Sequence, residues 1–172
     1  MLYYVQDSLK RFHHEHPQKP QDQPHPHAKP TYGAKVQYAT GEDESPAVSP
    51  AEKKIIQEVT GTFLYYSRAI DATMLPDIGS IATQQASPTE NTMKKVKHFL
   101  DYAASHPDAI ITYRASDMVL AAHSDASYLS ESKARSRAGR HFFMSNDEAI
   151  PSNNGAVLTV YQIIKAVMSY AA

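Results

Sequence analysis

The sequence predicts an α+β chain, with helices first and strands after them. Three observations carry this. Apolar residues recur at threes and fours through the middle of the chain, the signature of helices that bury one face. The motif Ser-Pro-x-Glu occurs twice, at Ser49-Pro50-Ala51-Glu52 and Ser87-Pro88-Thr89-Glu90, each time just ahead of such a period. After Pro107 the pattern turns to period two and to short continuous apolar runs, which is how strands read.

Taken in order, Leu2, Val5, Leu9 and Phe12 predict a short amphipathic helix over 2–12, about three turns long. A helix of that length is marginal in water and needs a surface to pack on. Residues 13–50 read as a flexible linker. Seven of the 11 prolines and five of the 9 histidines lie in the first fifty residues. Proline removes donors and restricts the residue before it, and a polar segment without apolar periodicity does not offset the entropy of ordering.

From the first capping box, Ile55, Ile56, Val59, Phe63, Tyr66 and Ile70 predict a helix over 51–69. Ile78 and Ile81 place a second helix over 76–85. The second Ser-Pro cap opens a third, with Met93, Val96, Leu100 and Ala103 on its buried face and His106-Pro107 as its stop. Strands are then expected over 110–114, 118–126, 140–145 and 157–161, the last after a tight turn at Asn154-Gly155. Residues 163–172 open a further helix, with Ser169 as a cap. The expected division is 1–50, a short helix and a Pro/His-rich linker; 51–106, a helical unit; and 107–172, an incomplete sheet domain.

Composition narrows the function. Of the 172 residues 42% are hydrophobic, enough for a core, and the net charge is -1, so any basic footprint for nucleic acid must be local. Cysteine is absent, which excludes disulfides, thiol catalysis and Cys-based zinc sites. No apolar run reaches the ~20 residues of a membrane span, and the N-terminus lacks a signal-peptide pattern, so no membrane partner is expected and the chain is expected to be intracellular, cytoplasmic or nuclear. There is no Gly-rich phosphate loop, no G-x-S-x-G and no H-E-x-x-H.

Asp125 is the candidate for chemistry. It ends the run Met118 to Ala122 in a place where a strand interior does not favour a carboxylate, and two accounts compete: it opens a turn, or it is the first ligand of a metal site built on a sheet. Two-metal phosphodiester hydrolysis needs several carboxylates on two Mg²⁺ ions roughly 4 Å apart, and one carboxylate does not make that site. Lys133, Arg135, Arg137 and Arg140 place four cations within eight residues, either a phosphate-contacting cluster or a solvated hairpin turn. His13, His14, His16, His25 and His27 can bind Zn²⁺ or Ni²⁺ only weakly from a flexible segment with nothing to orient them.

Three blocks give a resemblance. Gly61-Thr62-Phe63-Leu64-Tyr65-Tyr66 with Pro76-Asp77-Ile78, then Val96-Lys97-His98-Phe99-Leu100-Asp101-Tyr102, then His123-Ser124-Asp125-Ala126 with Ser136-Arg137-Ala138-Gly139 to Phe143 resemble, in this order, the C-terminal part of copia-type LTR retrotransposon polyproteins. That part runs from the end of the reverse transcriptase into ribonuclease H, and the likeness covers about residues 31–172. Leu75 stands where the family has arginine, and Ser127-Tyr128 where it has Asp-Trp. The resemblance implies a thumb and connection unit that holds a template–primer duplex, followed by the first three strands and the start of the first helix of a ribonuclease H-like mixed sheet.

It further implies that Asp125 is the first catalytic aspartate and a Mg²⁺ ligand, and that RNA–DNA hybrid and the rest of the polyprotein are the partners. The family's catalytic glutamate falls beyond Ala172, as do its later strands, and the polymerase palm belongs upstream. The expectation is a truncated fragment that is inactive as a nuclease by itself. Two other readings stand beside it: a remnant that binds nucleic acid through its helices and Lys133, Arg135 and Arg137, and an interaction protein that self-associates through an exposed sheet edge.

Overall fold

The computed structural model describes residues 1, 3–26, 43–127 and 135–164. They fall into two compact units, one of residues 1, 3–26 and 43–111 and the other of residues 112–127 and 135–164. The elements are α1 (Tyr4–Arg11), α2 (Pro50–Ala69), a 3₁₀ turn (Ala72–Met74), α3 (Leu75–Gln84), α4 (Glu90–Ser105), β1 (Val119–Ala126), β2 (Arg137–Ser145) and β3 (Ala156–Ile163). Among the described residues, four α-helices and a three-stranded antiparallel sheet make the chain α+β. No helix among the described residues is long and apolar enough to cross a membrane.

In the helical unit, α2 starts as its sequence dictates. The Ser49 hydroxyl accepts from the Glu52 N–H and the Glu52 carboxylate accepts from the Ser49 N–H, with Pro50 in the first turn where its missing donor costs nothing. Ile56, Val59, Phe63 and Tyr66 then line the buried face, and Phe63 meets Phe99 of α4 edge to face at 5.1 Å. Val5 and Leu9 of α1 join the same core, so the short helix belongs to this unit and gains there the packing surface that its length requires. Tyr4 stacks on Tyr66 with ring centroids 5.5 Å apart and donates its hydroxyl to the Thr62 carbonyl.

Two expectations change here. The segment 14–26 has no regular structure, yet it is tied along α4 rather than left as a loose linker. His14 Nε2 lies 2.8 Å from Asp101 Oδ1, the Gln21 N–H donates to Ser105 Oγ, and the rings of His106 and His98 bond the carbonyls of Gln21 and Gln23. Side chains on one helix face therefore satisfy backbone groups that proline prevents from pairing among themselves.

The cap of α4 is also displaced. Thr89, not Ser87, is the N-cap, reciprocally bonded with Thr92. Residues 46–48 hold the preceding stretch extended, with Glu90 N–H bonded to the Pro46 carbonyl, Val48 N–H to the Pro88 carbonyl and an isolated bridge between Ala47 and Thr89.

In the second unit, the strands run in the order β1-β2-β3, each antiparallel to its neighbour. The mixed sheet of the sequence reading is therefore antiparallel throughout its described part. No strand forms over 110–114; instead the Asn154 side chain pairs with the Arg114 backbone. Strand β2 begins at Arg137, three residues before its expected start, because its register with both neighbours continues to that point. The link from β2 to β3 spans 146–155, so Asn154-Gly155 closes a longer loop and is not a tight hairpin turn. Ile163 ends β3 in place of starting a helix, and residues 165–172 lie outside the described residues.

Candidate metal and nucleic-acid site

Strand β1 carries Asp125 inside the paired ladder, directly opposite Gly139 of β2 and one residue from the strand end. The turn-opening account of this aspartate is thus replaced by a strand position. Alternation puts Ala121, His123 and Asp125 on one face of the sheet, with Phe143, His141 and Gly139 opposite them in that order. The rings of His123 and His141 flank Phe143 at 4.9 and 5.3 Å, and Phe143 is fully buried. Towards Asp125 the face opens: Asp125 is exposed, and the residue across from it has no side chain. A Cβ at Gly139 would sit 3.7 Å from Tyr161 Cδ2 and 4.0 Å from the Asp125 carbonyl, ordinary contacts, so glycine is not demanded here by sterics.

The cations divide. Arg137 is 2% exposed, and its guanidinium lies over the Tyr161 ring at 5.2 Å. It is a packed cation of the sheet, not the phosphate-facing side chain the sequence reading placed in a turn, because β2 extends far enough to bring it beside Tyr161 of β3. Arg135 is exposed in an isolated bridge position, and Arg140 is exposed on the opposite face. Lys133 lies outside the described residues, as does His27.

Among the described residues no group of three or more His, Asp or Glu side chains is placed to hold a metal ion. Around Asp125 the face offers one carboxylate, with two imidazoles further along it. Mg²⁺ takes oxygen donors and favours near-octahedral geometry, so this set does not fit it. Of the N-terminal histidines that fall on described residues, His14 is engaged with Asp101 and His16 with the Pro17 carbonyl.

Sequence reading missed one polar group in the helical unit. Asp77, in the first turn of α3, is 4% exposed, and its Oδ2 has no hydrogen-bond partner among the described residues. Burial pushes its carboxyl up to about 7, against a smaller lowering by the Lys95 ammonium. Lys95 itself bonds Gln84 Oε1, which also accepts from the Thr92 hydroxyl. A polar residue one position before Ile78 on a helix with an apolar face was the available signal, but only packing decides which neighbours close over it.

Comparison with known proteins assigns no family. No family model matches the chain, and no curated protein or solved structure matches it.

Proposed function

We propose that the chain is a fragment of a copia-type reverse transcriptase–ribonuclease H region that binds nucleic acid and does not cleave it alone. One observation supports this reading above the others. The blocks that resemble the family occupy successive elements: Gly61–Tyr66 in α2, Pro76–Ile78 in α3, Val96–Tyr102 in α4, His123–Ala126 at the end of β1 and the run to Phe143 in β2. On this reading the helices are the thumb and connection unit, the strands open a ribonuclease H-like sheet, and Asp125 is the first carboxylate of a two-metal site.

Family chemistry needs two ions clamping the attacking and leaving oxygens of a phosphodiester. Asp125 would supply one ligand to such a site, and the described residues around it do not complete the set. What this chain's own residues offer is contact: Arg135 and Arg140 are exposed cations near the strands, and each phosphate neutralised adds a salt-dependent increment of affinity.

The test is the purified chain with an RNA–DNA hybrid in Mg²⁺. Expected is binding that weakens steeply with salt and no cleavage. Mg²⁺-dependent cleavage that Asp125→Asn abolishes would overturn the inactive-fragment reading, and absence of hybrid binding at low salt would overturn the nucleic-acid reading.

A further inference from the structure

Strand β1 is the edge of the sheet with the least protection. Among the described residues its one neighbour is β2, and seven of its eight residues are exposed. The Ser127 N–H donates to the Arg137 carbonyl, so Ser127 and, by alternation, Asp125, His123 and Ala121 turn their backbone groups towards β2. The N–H and C=O groups of Leu120, Ala122, Ser124 and Ala126 therefore point outward. Edge strands are commonly blunted by proline, lysine or a bulge. The stretch Val119–Ala126 has no proline and no lysine, and its register with β2 runs unbroken.

We propose that β1 pairs with β1 of a second copy of this chain, antiparallel about a two-fold axis through Ser124. The side chains choose both the partner and the register. An antiparallel ladder must match outward-facing residues with outward-facing residues, so the axis passes through a residue, and the candidates are few. With the axis at Ser124, Ala122 faces the partner copy's Ala126, and the two serines face each other. On the other sheet face, Asp125 then stands directly opposite the second copy's His123, and His123 opposite its Asp125. Both side chains are exposed in the single chain.

Moving the axis to Ala122 sets Asp125 against Val119, and moving it to His123 sets the two His123 rings against each other. The Ser124 axis is the register that sets a carboxylate against an imidazole, an acceptor against a ring N–H donor, in both directions, and cross-strand pairs are the unit of sheet stabilisation. The pairing side chains Ala122, Ser124 and Ala126 are small, so nothing bulky holds the strands apart. The two strands exchange about six backbone hydrogen bonds across the pairs at 122, 124 and 126. The join also makes the apolar face bearing Leu120 (63% exposed) and Leu158 (54% exposed) part of one continuous sheet of six strands, about twice the width of the single one.

This inference does not rest on the nuclease reading, and its test has no catalytic readout. Sedimentation of the full chain across micromolar concentrations should give a closed dimer. Ala122→Pro removes an outward N–H and leaves the β2 ladder intact, so it should give a monomer with the circular dichroism of the parent. Asp125→Lys should weaken the dimer by tenfold or more, and the exchanged double variant H123D/D125H should recover it, because the swap restores both cross-strand pairs. A monomeric parent chain, a dimer that survives both Ala122→Pro and Asp125→Lys, or open-ended association in place of a dimer would each overturn the proposal.

Discussion

The side-chain amide of Asn154 and the backbone of Arg114 bond each other twice: Arg114 N–H donates to Asn154 Oδ1 at 2.7 Å, and Asn154 Nδ2 donates to the Arg114 carbonyl at 2.9 Å. The geometry copies what a neighbouring strand would provide, with an amide side chain in place of a peptide unit. The same Nδ2 reaches the Met144 carbonyl at 2.8 Å, so one residue ties three chain segments of the sheet unit together. Asn154→Ala leaves those groups to solvent and should lower stability by about 1–2 kcal/mol. Asn154→Asp, which keeps the acceptor and loses the donor, should fall between. Urea denaturation of the three proteins checks the order.

Asp77 makes the helical unit pH-sensitive in a definite direction. Its carboxyl titrates near 7 in the folded chain, against about 3.9 when unfolded. Between those values the folded chain binds the extra proton, so stability is fullest below about pH 4, declines as pH rises towards 7, and stays reduced above that. Asp77→Asn does not titrate. At pH 8 it should stabilise the chain by roughly 2–4 kcal/mol, an upper range set by ~1.4 kcal/mol per unit of pKa, and at pH 4 it should change little. Equal effects of the substitution at both pH values would contradict this account.

The junction ahead of α4 turns on Thr89. Its hydroxyl caps the helix at Thr92 and also donates to Asp43 at 2.5 Å, while Asp43 further accepts from Ser45 and from Asn91 Nδ2. The Ser45 hydroxyl first, then that of Thr89, holds the Asp43 carboxyl well below the usual carboxylate range. Thr89→Ala should cost about 1 kcal/mol for the lost cap. Thr89→Ser keeps both bonds and should cost less than half of that, a difference readable in thermal melts.

Arg135 and Arg137 should separate cleanly. Arg137 is buried over Tyr161, so Arg137→Ala should destabilise the sheet unit by about 1–3 kcal/mol through lost stacking and lost packing of its stem. On the nucleic-acid reading, Arg135→Ala should reduce the salt dependence of hybrid binding by about one phosphate contact, and it should destabilise the chain less than Arg137→Ala does. A large stability loss for Arg135 with none for Arg137 would reverse the assignment.

The helices were legible from the sequence because their signals are local. Ser49-Pro50-Ala51-Glu52 satisfies its own orphan donors, and Ile56, Val59 and Phe63 mark a buried face by spacing alone. The run 118–126 could likewise be placed as a strand, since alternation and β-branched or small residues need no partner to be read. The sequence alone also put Asp125 at the end of that strand.

What only the tertiary structure decided depends on residues far apart in the chain. The cap of α4 moved to Thr89 because 46–48 pairs with 88–90, and the histidine-rich stretch settled because α4 offers it Asp101, Ser105, His98 and His106. Arg137 changed from a surface cation to a buried one because β2 gained three residues of pairing, and Asp77 lost its water because the helices closed over it. Hydrogen bonds within four residues follow from order in the chain; burial, and the partners a polar group finds there, follow from which surfaces meet.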